Sequence, residues 1–437
     1  MQAEDRGDSR ADGPVSGAPT GGAAPGEQAR EGAREGARGI LRQPKAVWAT
    51  AGASVVAFMG IGLVDPILPS IAEGLRATPS QVSLLFTSYF LITACAMLVT
   101  GAVSSRLGGR RTLLAGLALV VVFATLSGTS SSVGELVGFR AGWGLGNALF
   151  ISTALSVIVG AASGGSAAAI LLYESALGLG MACGPLLGAV LGEASWRYPF
   201  FGTALLMAAG FLCIAAFLRE QPRPARPTSV LDPVRALGHR GLASTAAAAF
   251  FYNYAFFTVL AFAPFVLDLT PYRAGGVFFA WGVLLALFSV VVAPRLQSRF
   301  GSPPVLCAAL LVLAADVMAL GYGGHGMAVF CTVLSGALIG VANTVFTELA
   351  LGVSDAPRAV AGAGYNFVRW FAAAAAPYLA PRIEEWSGGT RMPFLVAGAA
   401  AVAGAAIVRA RRALLTPRAG HPKPGGSTRD GMAALTD

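Results

Sequence analysis

YESALGLGMACGPLLGA, residues 173–189, sets one carboxylate, Glu174, at the head of an otherwise apolar, glycine-dense stretch. A carboxylate at membrane depth is expensive enough that function is its default reading. Gly180, Gly184 and Gly188 recur at every fourth position, which leaves one helix face bare for a neighbouring backbone, and Pro185 loosens the helix at that seam. Tyr365 and Pro377 repeat the frame of Tyr173 and Pro185, each 192 residues further on, with Asn366 at the counterpart of Glu174. The acid therefore belongs to the first copy only.

The composition surrounding this stretch is that of a membrane protein. Of 437 residues 55 % are hydrophobic and 12 % charged, against roughly a quarter charged in soluble domains. The net charge of +9 lies in short gaps between apolar runs rather than on one face, which argues against nucleic acid as a partner. Lys45 and Lys423 are the only lysines, so a GxxxxGK phosphate loop is excluded. The five cysteines sit inside apolar runs without metal-like spacing, and the three histidines fall in gaps or the tail. No nucleophile, base or metal set clusters, so no enzyme activity, catalytic residue, metal or cofactor is expected.

Twelve apolar runs of roughly bilayer-spanning length follow, near 46–68, 81–103, 112–129, 134–159, 167–192, 198–218, 243–266, 274–294, 303–322, 327–351, 360–381 and 392–408. The fold expected is an all-α polytopic membrane protein of twelve transmembrane helices in two six-helix repeats. Residues 1–43 and 413–437 read as disordered tails, 44–218 and 242–412 as the two bundles, and 219–241 as the linker between them. Sixteen Lys and Arg flank the spans on the side of the two termini and five on the other, which puts both termini in the cytoplasm and the chain in the plasma membrane. The halves share markers in one order. Ser105-Arg106-Leu107-Gly108 matches Ser298-Arg299-Phe300-Gly301, and Gly144, Asn147 and Phe150 match Gly340, Asn343 and Phe346. Two parallel repeats with a substrate site between them is a transporter plan.

From about residue 46 to 412 the chain resembles the major facilitator superfamily, in particular its twelve-span drug:proton antiporters. Residues 101–111, GAVSSRLGGRR, are similar to the signature loop between spans 2 and 3, with Gly101, Arg106, Gly108, Arg110 and Arg111 kept and Ser105 where the family usually has Asp. Residues 140–148, RAGWGLGNA, are similar to the fourth-span motif of proton-coupled members, with Trp143 at a position often held by Gln. Gly180, Gly184, Pro185 and Gly188 are similar to the fifth-span motif of exporters, Ala189 replacing its last glycine. The resemblance implies a monomeric exporter that exchanges an amphipathic small molecule for protons across the bilayer. An uncoupled or proton-symporting metabolite carrier, and a non-transporting sensor or enzyme on the same scaffold, are the alternatives.

Within this frame the intramembrane polar groups are the candidate site. A buried arginine needs an anion, and Asp65, at a depth comparable to Arg140, is the nearest plausible one; the other reading of Asp65 is a span-end residue facing water. Glu174 reads as a proton or substrate group, or as a static pair or water contact. Glu348 and Arg369 are expected to pair across the hairpin of spans 10 and 11. Asp316 in span 9 is a further acid for coupling or a cavity contact, although spans 3, 6, 9 and 12 lie outside the pathway in the family. Residues 250–257, FFYNYAFF, offer Asn253 amid six rings, either as a wall for a flat apolar substrate or as core packing.

Overall fold

A computed structural model describes residues 43–162, 166–220 and 228–415, with the backbone alone for 166–171, 174, 358 and 359. Both expected tails, apart from residues 43 and 413–415, and residues 221–227 of the linker lie outside the described residues.

Twelve long helices follow one another: α1 Lys45–Gly62, α2 Pro79–Leu107, α3 Gly109–Thr129, α4 Val133–Ala161, α5 Ser166–Ala194, α6 Tyr198–Phe217, α7 Arg240–Leu267, α8 Pro271–Leu287, α9 Ser302–Tyr322, α10 His325–Gly352, α11 Arg358–Ser387 and α12 Arg391–Ala410. Beyond α1 the chain turns through Asp65–Ile67 into a short helix, Leu68–Gly74. α8 continues through a π-helical turn, Phe288–Val292, into Ala293–Phe300. Pro294 sits just past that turn; lacking an N–H, it breaks the regular ladder and the helix widens there. The start of α2 is fixed by a capping box, in which Gln81 N–H donates to Thr78 Oγ1 and Thr78 N–H to Gln81 Oε1.

Among the described residues, eleven of these helices are long and apolar enough to cross a bilayer. The exception is α11, whose 30 residues give it ample length, about 45 Å, but whose middle carries Asn366 and Arg369. A span that lines a polar interior loses hydropathy in this way without losing its place in the bundle.

The repeat seen in the sequence is a repeat of packing. In the first half α1 packs on α5 and α6, α2 on α4, and α3 on α4 and α6; in the second α7 packs on α11 and α12, α8 on α10, and α9 on α10 and α12. The paired markers hold equivalent contacts. A methyl on Gly144 of α4 would strike the carbonyl of Tyr89 on α2, and one on Gly340 of α10 would strike the carbonyl of Leu285 on α8, both 196 residues on. Gly108 and Gly301, which end the two SRxG segments, adopt φ of 92° and 80°, a conformation that side chains disfavour, and each starts the next helix directly. The halves meet along two seams, α2 against α11 and α5 against α8. At the face away from the termini α7 also touches the Asp65–Ile67 turn and the Leu68–Gly74 helix, so the two halves are in contact there too.

Candidate functional site

α5 is wedged between the halves. Methyls at Gly180, Gly184 and Gly188 would strike the carbonyl oxygens of Val55, Met59 and Leu63, so α1 lies backbone to backbone in the groove that the glycine spacing opens. The other side of α5 sits on α8, Gly178 against Ala286, Ala182 against Gly282 and Ala189 against Gly275. Ala189, in place of the motif glycine, is accommodated because its neighbour on α8 is itself a glycine. Pro185 touches Gly62, the last residue of α1 before the turn that carries Asp65. Glu174 lies on α5, but its side chain is outside the described residues.

Arg140 is fully buried on α4 with its guanidinium between two rings, 4.5 Å from the centroid of Tyr89 and 4.6 Å from that of Trp143. Trp143 in turn packs edge-on against Tyr89 and Phe200, and Asn147 donates to the Tyr89 hydroxyl. Asp65 is also fully buried, and near enough for the two charges to act on each other. The expected ion pair is nonetheless not closed: no nitrogen of Arg140 comes within 4.0 Å of a carboxylate oxygen of the described residues. All three guanidinium nitrogens and both Asp65 oxygens lack a hydrogen-bond partner among the described residues. The physical reason is the aromatic sandwich, which holds the cation on the faces of its own helix pair, α2 and α4, instead of at the α1 turn.

The pairing of Glu348 with Arg369 is corrected as well. Arg369 Nη1 donates to Asn343 Oδ1 at 2.8 Å, and Glu348 Oε2 accepts from Gln297 Nε2 at 2.8 Å. Asn343 and Arg369 lie at similar distances from the helix ends on the termini face, about 14 and 16 Å, whereas Glu348 is more than a turn nearer that face and exposed. The neutral amide at the right depth takes the arginine and the acid at the wrong depth does not. Arg369 also lies over the rings of Tyr365 and Trp370, at 5.6 and 5.5 Å.

The aromatic stretch of α7 divides. Asn253 is buried with its amide donating to the Ala249 carbonyl of its own helix, the core-packing outcome. Phe257 instead meets Phe90 of α2 at 4.6 Å and Trp370 of α11 at 6.0 Å, with Phe90 and Trp370 5.3 Å apart. This three-ring cluster joins the halves at mid-depth, and nothing in the spacing around Phe90 announces it. Asp316 is buried beside Cys331, between α9 and α10.

The signature loop is anchored to the termini face. Ser105 is buried, its hydroxyl donating to the Ala102 carbonyl at 3.0 Å and accepting from the Thr228 N–H at 3.2 Å. Thr228 belongs to the linker, whose short helix Asp232–Ala236 packs on α11 and whose Pro233 carbonyl faces Gly364. Arg110 donates to the Ala215 carbonyl of α6 at 2.8 Å, exposed Arg111 lies 3.7 Å from Glu220, and Arg106 is exposed. Gly101 faces Thr228.

Two six-helix repeats related by an offset of about 194 residues, meeting on two seams and burying charged groups within membrane-length helices, define a secondary-transporter scaffold. Residues 50–381 match the Major Facilitator Superfamily, and the chain belongs to that family. It is a multi-pass membrane transporter and not an enzyme. It is 47 % identical over 386 residues to the multidrug efflux protein YfmO of Bacillus subtilis strain 168, covering 88 % of this chain and 97 % of that one. It is 25 % identical to the class C tetracycline resistance protein of Escherichia coli over 66 % of this chain and 77 % of that one. Among solved structures a D-xylose-proton symporter superposes with a TM-score of 0.69 at 17 % identity, covering 83 % of this chain and 96 % of that one, a likeness of fold.

Proposed function

We propose that the chain is a proton-driven multidrug exporter of the plasma membrane, with its termini face in the cytoplasm. The observation that carries this reading is Asp65, a buried carboxylate that feels Arg140 without touching it, at a turn pressed between α5, α7 and α8. A carboxylate so placed gains or loses a proton at little structural cost, because no hydrogen bond has to break. Its charge then alters the pull on Arg140 and hence the fit of α1 and α4 beside the seam. The efflux name of the relative at 47 % identity supports the direction.

In the cycle the two bundles, residues 44–218 and 242–412, rock about the α2–α11 and α5–α8 seams as a monomer. Protonation of Asp65 from outside favours one arrangement; loss of that proton to the cytoplasm and capture of substrate there favours the other. Glu174, at the inner part of α5, is the second proton or substrate group.

The test is export by purified protein in proteoliposomes. An imposed pH gradient, acid on the side away from the termini, is expected to drive accumulation of a lipophilic dye, and Asp65→Asn to abolish the gradient dependence while leaving exchange without a gradient. Identical gradient dependence in the variant would defeat the role of Asp65. Transport that never responds to a gradient would favour the uncoupled carrier.

A further inference from the structure

Arg369, in the middle of the bundle, is a cation without a counter-charge in contact among the described residues. Phe371, 46 % exposed, and Phe367, which packs on its ring at 6.3 Å, mark the lipid side of α11. Position 369 is two residues from each, about 200° round the helix, so its side chain leaves from the opposite side. It is nevertheless only half-buried, as are Asn366 and Gly362 on the same stripe. Partial exposure on the side away from lipid is exposure to an interior chamber, and the stripe runs from Arg369 toward the termini face. No carboxylate oxygen of the described residues lies within 4.0 Å of its guanidinium. The hydrogen bond to Asn343 uses one of five N–H donors, and the amide, being neutral, adds no counter-charge. Alongside, Trp370 is buried with Phe90 and Phe257 in the cluster that closes the seam, which fixes the α11 backbone on which Arg369 stands.

We propose that Arg369, steadied by Asn343, is the anchor for the carboxylate of an amphipathic substrate held in that chamber. The assignment rests on the export reading and names the class of cargo for it: amphipathic carboxylates in preference to their neutral or cationic analogues. A planar guanidinium takes a carboxylate with two parallel hydrogen bonds, a geometry that lysine cannot reproduce. Asn343 fixes the fork through a neutral contact, so the positive charge stays available to the cargo.

The experiment uses the full-length protein in proteoliposomes and three fluorescent probes sharing one ring system: a naphthyl carboxylate, its methyl ester and a naphthylammonium. Wild type is expected to export the carboxylate best. Arg369→Gln and Arg369→Lys are each expected to lower the carboxylate-to-ester ratio by about tenfold or more, the scale of one lost charged hydrogen-bond pair. Asn343→Asp keeps the arginine but supplies it with an internal carboxylate, and is expected to lower the same ratio with the protein still folded by size-exclusion and thermal melting. This second variant decides the matter if the Arg369 variants do not fold. Export of ester and ammonium in preference to carboxylate by wild type, or an unchanged ratio in Asn343→Asp, overturns the assignment while leaving export intact. Export of none of the three by wild type, with the lipophilic dye also unmoved, would strike the export reading itself.

Discussion

Each half of the molecule buries one arginine against a tyrosine and a tryptophan, and the two are treated in opposite ways. Arg140, in the first half, is fully sealed between Tyr89 and Trp143, with Asp65 close by. Arg369, in the second, is half-buried over Tyr365 and Trp370, is held by an amide, and faces the interior. They are not equivalents under the repeat: the position matching Arg140 in α10 is Gly336, whose missing side chain lets it lie on the Trp281 carbonyl. A duplicated scaffold thus carries two unlike charges, one closed and paired at a distance with an acid, the other open. The proposed division of labour between proton and cargo rests on that difference.

The largest effect is expected from breaking the closed site. Arg140→Leu removes the cation packed between Tyr89 and Trp143 and leaves the charged form of Asp65 without it; because the two are not in contact, the cost stays below the roughly 3–5 kcal/mol of breaking a closed buried pair. Thermal melting of the purified protein should fall sharply, and Asp65→Asn added to Arg140→Leu should recover part of the loss, since the second change removes the stranded charge. Arg369→Leu should lower the melting temperature much less, because a half-buried cation with a neutral partner strands no opposite charge. Equal losses from the two leucine variants would erase the distinction between the sites.

A smaller effect probes what the halves share. Gly144→Ala and Gly340→Ala each push a methyl into a backbone carbonyl, that of Tyr89 or of Leu285, and overpacking of this kind costs roughly 1–3 kcal/mol. The two variants should lose similar stability in thermal melting. A large loss from one and none from the other would mean that the repeat is one of sequence without equivalent mechanics.

Much of this was legible beforehand, and the limits of legibility are physical. Glycines four apart announce a bare helix face whatever lies against it, so the groove of α5 could be read from Gly180, Gly184 and Gly188. The repeat was legible through Gly108 and Gly301, because a backbone with φ near 90° restricts the residue that can occupy it. Partners were harder, since they depend on helix rotation and depth. Glu348 is the acid that span 10 offers to Arg369, yet Asn343 is the group at its depth. The sandwich around Arg140 needs Tyr89, fifty-one positions earlier, and the cluster at the seam needs Phe90 beside it; both are ordinary aromatic residues of an apolar run. Asn253 looked like a hook because an amide among rings is conspicuous, but its own helix supplies the acceptor at Ala249.

The smallest effect concerns the two SRxG segments, which look alike and end differently. Ser105 and Ser298 both donate to the carbonyl three residues back, of Ala102 and Arg295. Ser298 is exposed and goes no further, whereas Ser105 is buried and also accepts the Thr228 N–H, tying α2 to a linker whose short helix rests on α11. Ser105→Ala therefore leaves a backbone donor without its acceptor and should cost about 0.5–1.5 kcal/mol, while Ser298→Ala should be close to neutral. Because the strand of linker spans both halves on the termini face, loosening it should also favour separation of the halves there. Limited proteolysis of the linker reads that directly: faster cleavage in Ser105→Ala than in Ser298→Ala is expected, and equal rates would mean that the strap is held by the packing of Asp232–Ala236 alone.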